Sequence, residues 1–470
     1  MKYVSTRGQA PALGFCDVLL AGLARDGGLY VPESWPQFSA EDFADLAGVS
    51  YDEAAYRLIL PFVGGEIAAS DLRAMCAEAY ATFRHEAVAP LVQIGPNGFV
   101  LELFHGPTLA FKDVAMQLLA RLMDHVLAAR GRRATIVGAT SGDTGGAAIE
   151  AFRGRAATDI FILFPKGRVS PVQQRQMTTV ADPNVHAIAV EGTFDDCQAI
   201  VKALFNDHSF RDRVALSGIN SINWGRIVAQ LVYYVTAALS LGAPARKVSF
   251  TVPTGNFGDV FAGYVAKRIG LPIERLVIAT NTNDILVRTL ESGRYETSGV
   301  LQTASPSMDI QVSSNFERLL FEAVGRDGTL VRNLMASLAQ SGGFTLPEAA
   351  LERIRAEFSA GRASEDETAA IMRATLERSG YLADPHTAVG LSVASGAAPS
   401  RAPMVMLSTA HPAKFPDAVE AATGIRPALP ASAGDLMQRA ERFTVLANDA
   451  AAIAAFVEAR SRAVEEKIYS

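Results

Sequence analysis

Cysteine is scarce in this chain of 470 residues: Cys16, Cys76 and Cys197 lie far apart and form no CxxC pair. That spacing excludes a disulfide framework or a cysteine zinc site and leads us to expect a reducing, cytoplasmic setting. Histidine is sparse as well, and none of the seven falls at HxxxH or HExxH spacing, so no metal is expected. His386 and His411 each stand beside a proline and read as loop residues. No GxSxG elbow occurs, which removes one signature of a nucleophilic serine. Nor is there a surplus of positive charge. The formal net charge of −6 argues against nucleic acid or an anionic membrane as a partner, while leaving room for a local basic pocket. Long apolar runs are missing: residues 231–243 are uncharged but carry Tyr233, Tyr234, Thr236 and Ser240. Such a run is shorter than the roughly 18–20 residues that span a bilayer, and reads as a buried helix. Residues 1–15 lack the apolar core of a secretory signal, so none is expected. The chain also lacks a repeat of fixed period and a low-complexity tract.

What is present is a globular balance, 49% hydrophobic and 20% charged, long enough for two or three domains. Up to about residue 88, helical patches over 41–47, 51–61 and 71–84 alternate with Gly/Pro punctuation, with Ser70-Asp71 reading as a helix start. We expect a small N-terminal helical domain over 1–88. Beyond it the pattern becomes strand, glycine-bearing loop and helix. Val114, Leu118, Leu122 and Val126 share one face of a helix over 113–130, closed by Gly131. Apolar or β-branched runs at 99–104, 134–139, 160–164, 185–190, 248–252, 276–279 and 404–407 predict short strands. Alternation of this kind predicts a parallel α/β architecture with helices on both faces. Ala/Glu/Arg-rich stretches between 346 and 378 and after 431 read as surface helices. The expected division is therefore an α/β region over 89–430 and a C-terminal helical segment over 431–470.

Function in such sheets gathers at the carboxyl ends of strands. Lys112 follows Leu109, Ala110 and Phe111 and precedes a helix. Lost hydration and the positive end of the helix dipole both favour a neutral amine, which Schiff-base chemistry needs. A solvated helix-start lysine gives the same local pattern. Thr140-Ser141-Gly142-Asp143-Thr144 links a strand to a helix through small residues, so its amides suit an anion. A tight turn capped by Asp143 is equally compatible, and neither Walker A nor GxGxxG is matched. Gly255-Asn256-Phe257-Gly258-Asp259 repeats the arrangement after the run at 248–252. Asn220, Ser221 and Arg226 lead into the apolar run, where a guanidinium beside amide and hydroxyl groups can grip phosphate or carboxylate. A capped helix bearing a surface arginine reads the same way.

Taken together, HGPTLAFKD, ATSGDTGG, FPKGRVSPVQQRQM, NSINWGRI, PTGNFGD and STAHPAKF resemble, in order and separation, the motifs of the threonine synthase family. The N-terminal ARDGGLYVPE is similar to the leader domain of its bacterial and fungal subgroup, and the resemblance runs from Tyr3 to about Phe415. It implies the fold-type II pyridoxal-phosphate architecture shared with tryptophan synthase β: two open parallel-sheet α/β lobes with the cofactor between them. By this resemblance Lys112 carries pyridoxal phosphate and moves protons. The Gly255, Asn256, Phe257 and Gly258 loop cradles its phosphate, Asp259 opens the next helix, and the Thr409 hydroxyl faces the pyridine nitrogen. Thr140, Ser141, Asp143 and Thr144 meet the substrate carboxylate. Asn220, Ser221, Arg226 and Lys166 hold the substrate phosphate. Many fold-type II relatives have asparagine where this chain has Asp143, so that carboxylate must be turned away, paired or protonated.

The implied substrate is O-phospho-L-homoserine, converted with water to L-threonine and phosphate, by a monomer or weak homodimer. Three rivals share these motifs. A phosphohomoserine lyase would release 2-oxobutyrate, a cysteate-synthase-like enzyme would perform β-replacement, and a non-catalytic relative would only bind a phosphorylated amino acid.

Overall fold

The computed structural model describes residues 1–398 and 400–464. Two sheets organise it. The larger has six strands in the order Phe358–Arg362, Ile273–Thr280, Val248–Pro253, Met404–Ser408, Gly98–Glu102 and Leu91–Gln93. All pair in parallel except Leu91–Gln93, which is antiparallel to its neighbour. The second has five parallel strands in the order Thr444–Ala447, Val185–Glu191, Thr158–Pro165, Ala134–Ala139 and Leu216–Ser217. Val248–Pro253 and Thr158–Pro165 are buried along their whole length, as expected of central strands covered on both faces.

The helices Lys112–Ala129 and Trp224–Ser240 pack on one another and join the lobes. The first buries Leu118 and Leu122 on its amphipathic face, but also Met116, Leu119 and Met123 around it. It is wedged among Ala69–Tyr80, Asp143–Phe152 and Trp224–Ser240, so a wider apolar surface than one stripe is required. Each such side chain is worth roughly 1.5–3 kcal/mol when fully buried. Lys112, the first residue of this helix, is thereby set on a rigid support.

Three expectations need correction. The first 88 residues are not purely helical: Tyr3–Ser5 and Tyr30–Pro32 form an antiparallel pair beside the helices. The helix read from Ser70-Asp71 begins at Ala69, with Asp71 in its first turn and no side-chain cap. The stretch 346–378 is interrupted by the edge strand Phe358–Arg362, and the segment 431–470 contains the strand Thr444–Ala447 before its helix Ala450–Glu458. Both strands are short and lie at sheet edges, where half-exposed, mixed sequences carry little periodic signal. Among the described residues, no helix is long and apolar enough to cross a membrane.

Candidate active site

The carboxyl ends of the central strands converge on Lys112. The loop before it is pinned to the end of Met404–Ser408: Phe111 N–H donates to Thr409 O (2.8 Å) and His411 N–H to Leu109 O (3.0 Å). Leu109 takes a left-handed φ of 63° to make this turn. The buried Asp113 carboxylate closes it from behind, accepting from Thr108 N–H and Thr108 Oγ1, both at 2.7 Å. Burial lifts the Asp113 carboxyl to about 6, against those two bonds. The loop therefore has little freedom, and Lys112 and the Thr409 hydroxyl, which makes no hydrogen bond among the described residues, follow adjacent strands.

Lys112 is itself buried. Desolvation, foremost, pushes its amine below the ordinary lysine value; Asp143 opposes this, while Arg226 and Lys414 reinforce it. Its Nζ lies 3.7 Å from Asp143 Oδ2 and 4.8 Å from the Phe111 ring centroid. Of the openings offered for Asp143, the structure takes pairing. Its Oδ1 bonds Lys414 Nζ (2.9 Å) and Gln173 Nε2 (2.9 Å), so the carboxylate is turned from the amides of its own loop. Burial works to raise this carboxyl, but Lys414 and then Lys112 overcome it and hold it well below the usual carboxylate range. Asp143 is thus no contact for a substrate carboxylate.

The rest of that loop is open for one. Thr140 Oγ1 accepts from Gly142 N–H and Gly145 N–H, each at 2.9 Å, and braces the turn. The Ser141 and Thr144 hydroxyls make no hydrogen bond within the described residues, and Ser141 is exposed.

The second glycine loop has an anion cradle's geometry. Gly255 O accepts from Ser313 Oγ (2.6 Å), and Asn256 O accepts from Asn315 N–H (3.0 Å) and Nδ2 (2.9 Å). With these carbonyls drawn outward, the N–H groups from Gly255 to Asp259 find no acceptor among the described residues. They sit at the start of the helix Gly258–Arg268, where the dipole favours negative charge. Phe257 holds a φ of 64°, with its ring anchored against Phe316 and Phe358. A Cβ on Gly255 would meet Ser307 O at 2.8 Å. Asp259 opens that helix from its first turn; its carboxylate accepts from Tyr233 OH (2.5 Å) and Tyr234 OH (2.8 Å), and burial raises it to about 6. Only its main-chain N–H remains for the cradle, because a carboxylate there would repel the anion.

Arg226, in the first turn of Trp224–Ser240, is buried with no carboxylate partner among the described residues. Its Nη1 reaches Ile219 O at 3.4 Å and its Nε has no partner among the described residues. Burial lowers the guanidinium to about 10. A buried cation left open in this way has the chemistry to receive an anion. Ser221 O, Asn315 Nδ2 and Gly258 meet at one point, which joins this helix start to the glycine loop. Asn220 is exposed, and its side chain makes no hydrogen bond among the described residues. Lys166 stands apart: half-exposed, it pairs with Glu191 at 3.2 Å on the surface and is not drawn to the buried cations.

Several groups escaped sequence reading. Lys414 is fully buried and bonds Thr108 O (2.7 Å), Gln176 Oε1 (2.9 Å) and Asp143. Asn315 and Ser313 shape the glycine loop from a segment without a recognisable motif. His386 is no loop residue. It lies in the helix Pro385–Ser395, its Nδ1 on Asp384 (2.8 Å) and its Nε2 accepting from Ser307 N–H (3.2 Å). His411 caps the turn Pro412–Lys414.

The donor set fits pyridoxal phosphate. A buried amine with a disfavoured ammonium form suits its aldehyde, and five adjoining unpartnered amides suit its phosphate. Comparison with known proteins agrees. The family described as "Pyridoxal-phosphate dependent enzyme" matches residues 84–334, "Threonine synthase N terminus" residues 2–80, and "Threonine synthase, C-terminal" residues 387–457. A threonine synthase of Pseudomonas aeruginosa is 55% identical, covering 97% of this chain and 98% of its own. The solved structure of PLP-bound threonine synthase from Brucella melitensis superposes with a TM-score of 0.97 at 69% identity, covering 98% and 100%. That of the yeast enzyme gives 0.93 at 40% identity, covering 98% of each. The chain is a pyridoxal-phosphate-dependent enzyme with the fold-type II architecture. Within that class, it belongs to the threonine synthase family.

Proposed function

We propose that this enzyme converts O-phospho-L-homoserine and water to L-threonine and phosphate, with Lys112 as its proton carrier. The observation that carries the reading is the buried pair of an amine and an unpaired guanidinium, Lys112 and Arg226, facing a loop of open amides. Membership of the threonine synthase family supports it.

Lys112 would hold the cofactor covalently, the Gly255–Asp259 amides its phosphate, and Thr409 its ring nitrogen through a neutral hydroxyl. When bound, pyridoxal phosphate withdraws electrons from the substrate carbons and makes the Cα and then the Cβ protons acidic. The Lys112 amine, whose ammonium form burial disfavours, takes those protons in turn and returns one to Cγ, since one nitrogen can reach adjacent carbons. Arg226 gains most as negative charge grows on the departing phosphate, because it has no competing carboxylate to leave. Asn220 and Ser221 border the same helix start, and Ser141, Thr144 and the neighbouring amides hold the substrate carboxylate. The hydroxyl of water bonds to Cβ, the second proton held by Lys112 goes to Cα, and the proton left from water goes to the released phosphate, which completes the product.

The test is stoichiometry. Purified enzyme given O-phospho-L-homoserine should release one threonine per phosphate. Release of 2-oxobutyrate instead would move the assignment to a lyase; no turnover would favour the binding-only relative.

A further inference from the structure

A fully buried lysine ammonium costs several kcal/mol in lost hydration unless every donor is met. Lys414 meets three acceptors: Thr108 O, Gln176 Oε1 and Asp143 Oδ1. The last is informative, because it saturates one carboxylate oxygen, already shared with Gln173 Nε2, and leaves the other alone. That free oxygen, Oδ2, is the one lying 3.7 Å from the Lys112 nitrogen. A carboxylate placed beside a proton-carrying amine could take the proton itself and stall the transfer. Lys414 prevents this by keeping Asp143 ionised. We propose that Asp143 and Lys414 are positioning residues for Lys112, a fixed ion pair whose free carboxylate oxygen governs how readily that nitrogen holds a proton. The inference rests on the role of Lys112 proposed above.

The chemistry follows from the signs. When Lys112 takes a proton from carbon, its nascent ammonium is met by a carboxylate that needs no rearrangement to receive it. The Lys414 charge keeps that attraction partial, so the proton can still be given back. Lys414 reaches this place because His411 caps the short turn Pro412–Lys414 and because Thr108 belongs to the loop that carries Lys112. A purely mechanical staple would need the same bonds. The two roles differ in what charge removal does to the Lys112 amine: Asp143 favours its ammonium, Lys414 disfavours it.

The experiment uses the full-length chain freed of cofactor and brief acetylation with acetic anhydride across pH 5–10, read by mass spectrometry at Lys112. Exposed Lys202 serves as internal reference. Asp143→Asn should lower the pH of half-maximal labelling at Lys112 by about one unit, a tenfold change in neutral fraction. Lys414→Met should raise it by a similar amount, and Lys414→Arg should stay near wild type. Unmoved midpoints, or shifts of the same sign, would overturn the proposal. If Lys414→Met shows no cooperative melting, the near-isosteric Asp143→Asn decides alone: a lowered midpoint supports the pair, an unmoved one ends it. Failure here is separable from failure of the catalytic reading, which instead predicts that Lys112→Ala abolishes the holoenzyme's visible band.

Discussion

Arg226 shows how a single residue can carry function at the expense of stability. Its guanidinium is buried, has one long bond to Ile219 O and leaves Nε unmet. Replacing an uncompensated buried charge by an apolar side chain of similar length should stabilise the fold. Arg226→Met should therefore melt a few degrees higher than wild type when both are cofactor-free. It should also lose about 2–4 kcal/mol of transition-state stabilisation toward the phosphorylated substrate, roughly 30- to 1000-fold in kcat/KM. Calorimetry and steady-state assays check the two halves; a lower melting temperature with unchanged kcat/KM would remove Arg226 from the site. Lys112 and Arg226 were legible as candidates because apolar neighbours and a helix start surround them. Lys414 was not, since its motif supplies a lysine but not the knowledge that Thr108, Gln176 and Asp143 fold around it. The partners of Asp259 were hidden for a related reason: the Tyr233 and Tyr234 hydroxyls that claim its carboxylate sit in a distant apolar run.

At the level of elements, the site depends on strand ends and the turns that follow them. The turn from Val248–Pro253 into Gly258–Arg268 leaves no room for a side chain at its first glycine, where a Cβ would lie 2.8 Å from Ser307 O. Gly255→Ala should shift the loop and weaken pyridoxal phosphate binding by tenfold or more with little change in helix content. Titration of the cofactor-free protein measures this, and unchanged affinity would contradict the cradle. The turn carrying Lys414 has its own sensitivity. His411 Nδ1 accepts from Ala413 N–H, and burial lowers the imidazole to about 4. Unfolded, the ring titrates near 6.5. Between those values the unfolded chain binds the extra proton, so the His411 contribution is full above about 6.5 and lost as pH falls toward 4. His411→Asn keeps an acceptor without the titration, so its melting temperature should fall less than wild type on acidification from pH 7 to 5. Parallel pH profiles would exclude His411 as the cause. The central strands were readable from their β-branched runs. Phe358–Arg362 was not, because FSAGR between two charged helices has neither alternation nor a hydrophobic core.

At the scale of the molecule, the two large sheets are joined by two packed helices, with Lys112 and Arg226 in the first turns of those helices. Parallel architecture was legible in the strand–loop–helix alternation. Sheet order was not, since strand pairing across hundreds of residues leaves no local mark: Met404–Ser408 sits between Val248–Pro253 and Gly98–Glu102. The same holds for the C-terminal strand, which adds Thr444–Ala447 to the edge strand Val185–Glu191 and brings Ile453 and Val457 over Phe161 and Ile188. Ending the chain after residue 443 should cost on the order of 3–6 kcal/mol, from losing those two buried side chains alone. It should also bare a sheet edge open to aggregation. Urea unfolding would test this, and a midpoint equal to that of the full chain would contradict it. Every role proposed for the other site residues depends on Lys112 as the residue that holds the cofactor and moves the proton. The decisive measurement is the absorption spectrum of wild type and Lys112→Ala, before and after O-phospho-L-homoserine, with phosphate and threonine followed together. A visible band in wild type that shifts with substrate, one threonine per phosphate, and loss of both in the variant are predicted. A variant that keeps the band and the turnover would contradict the account.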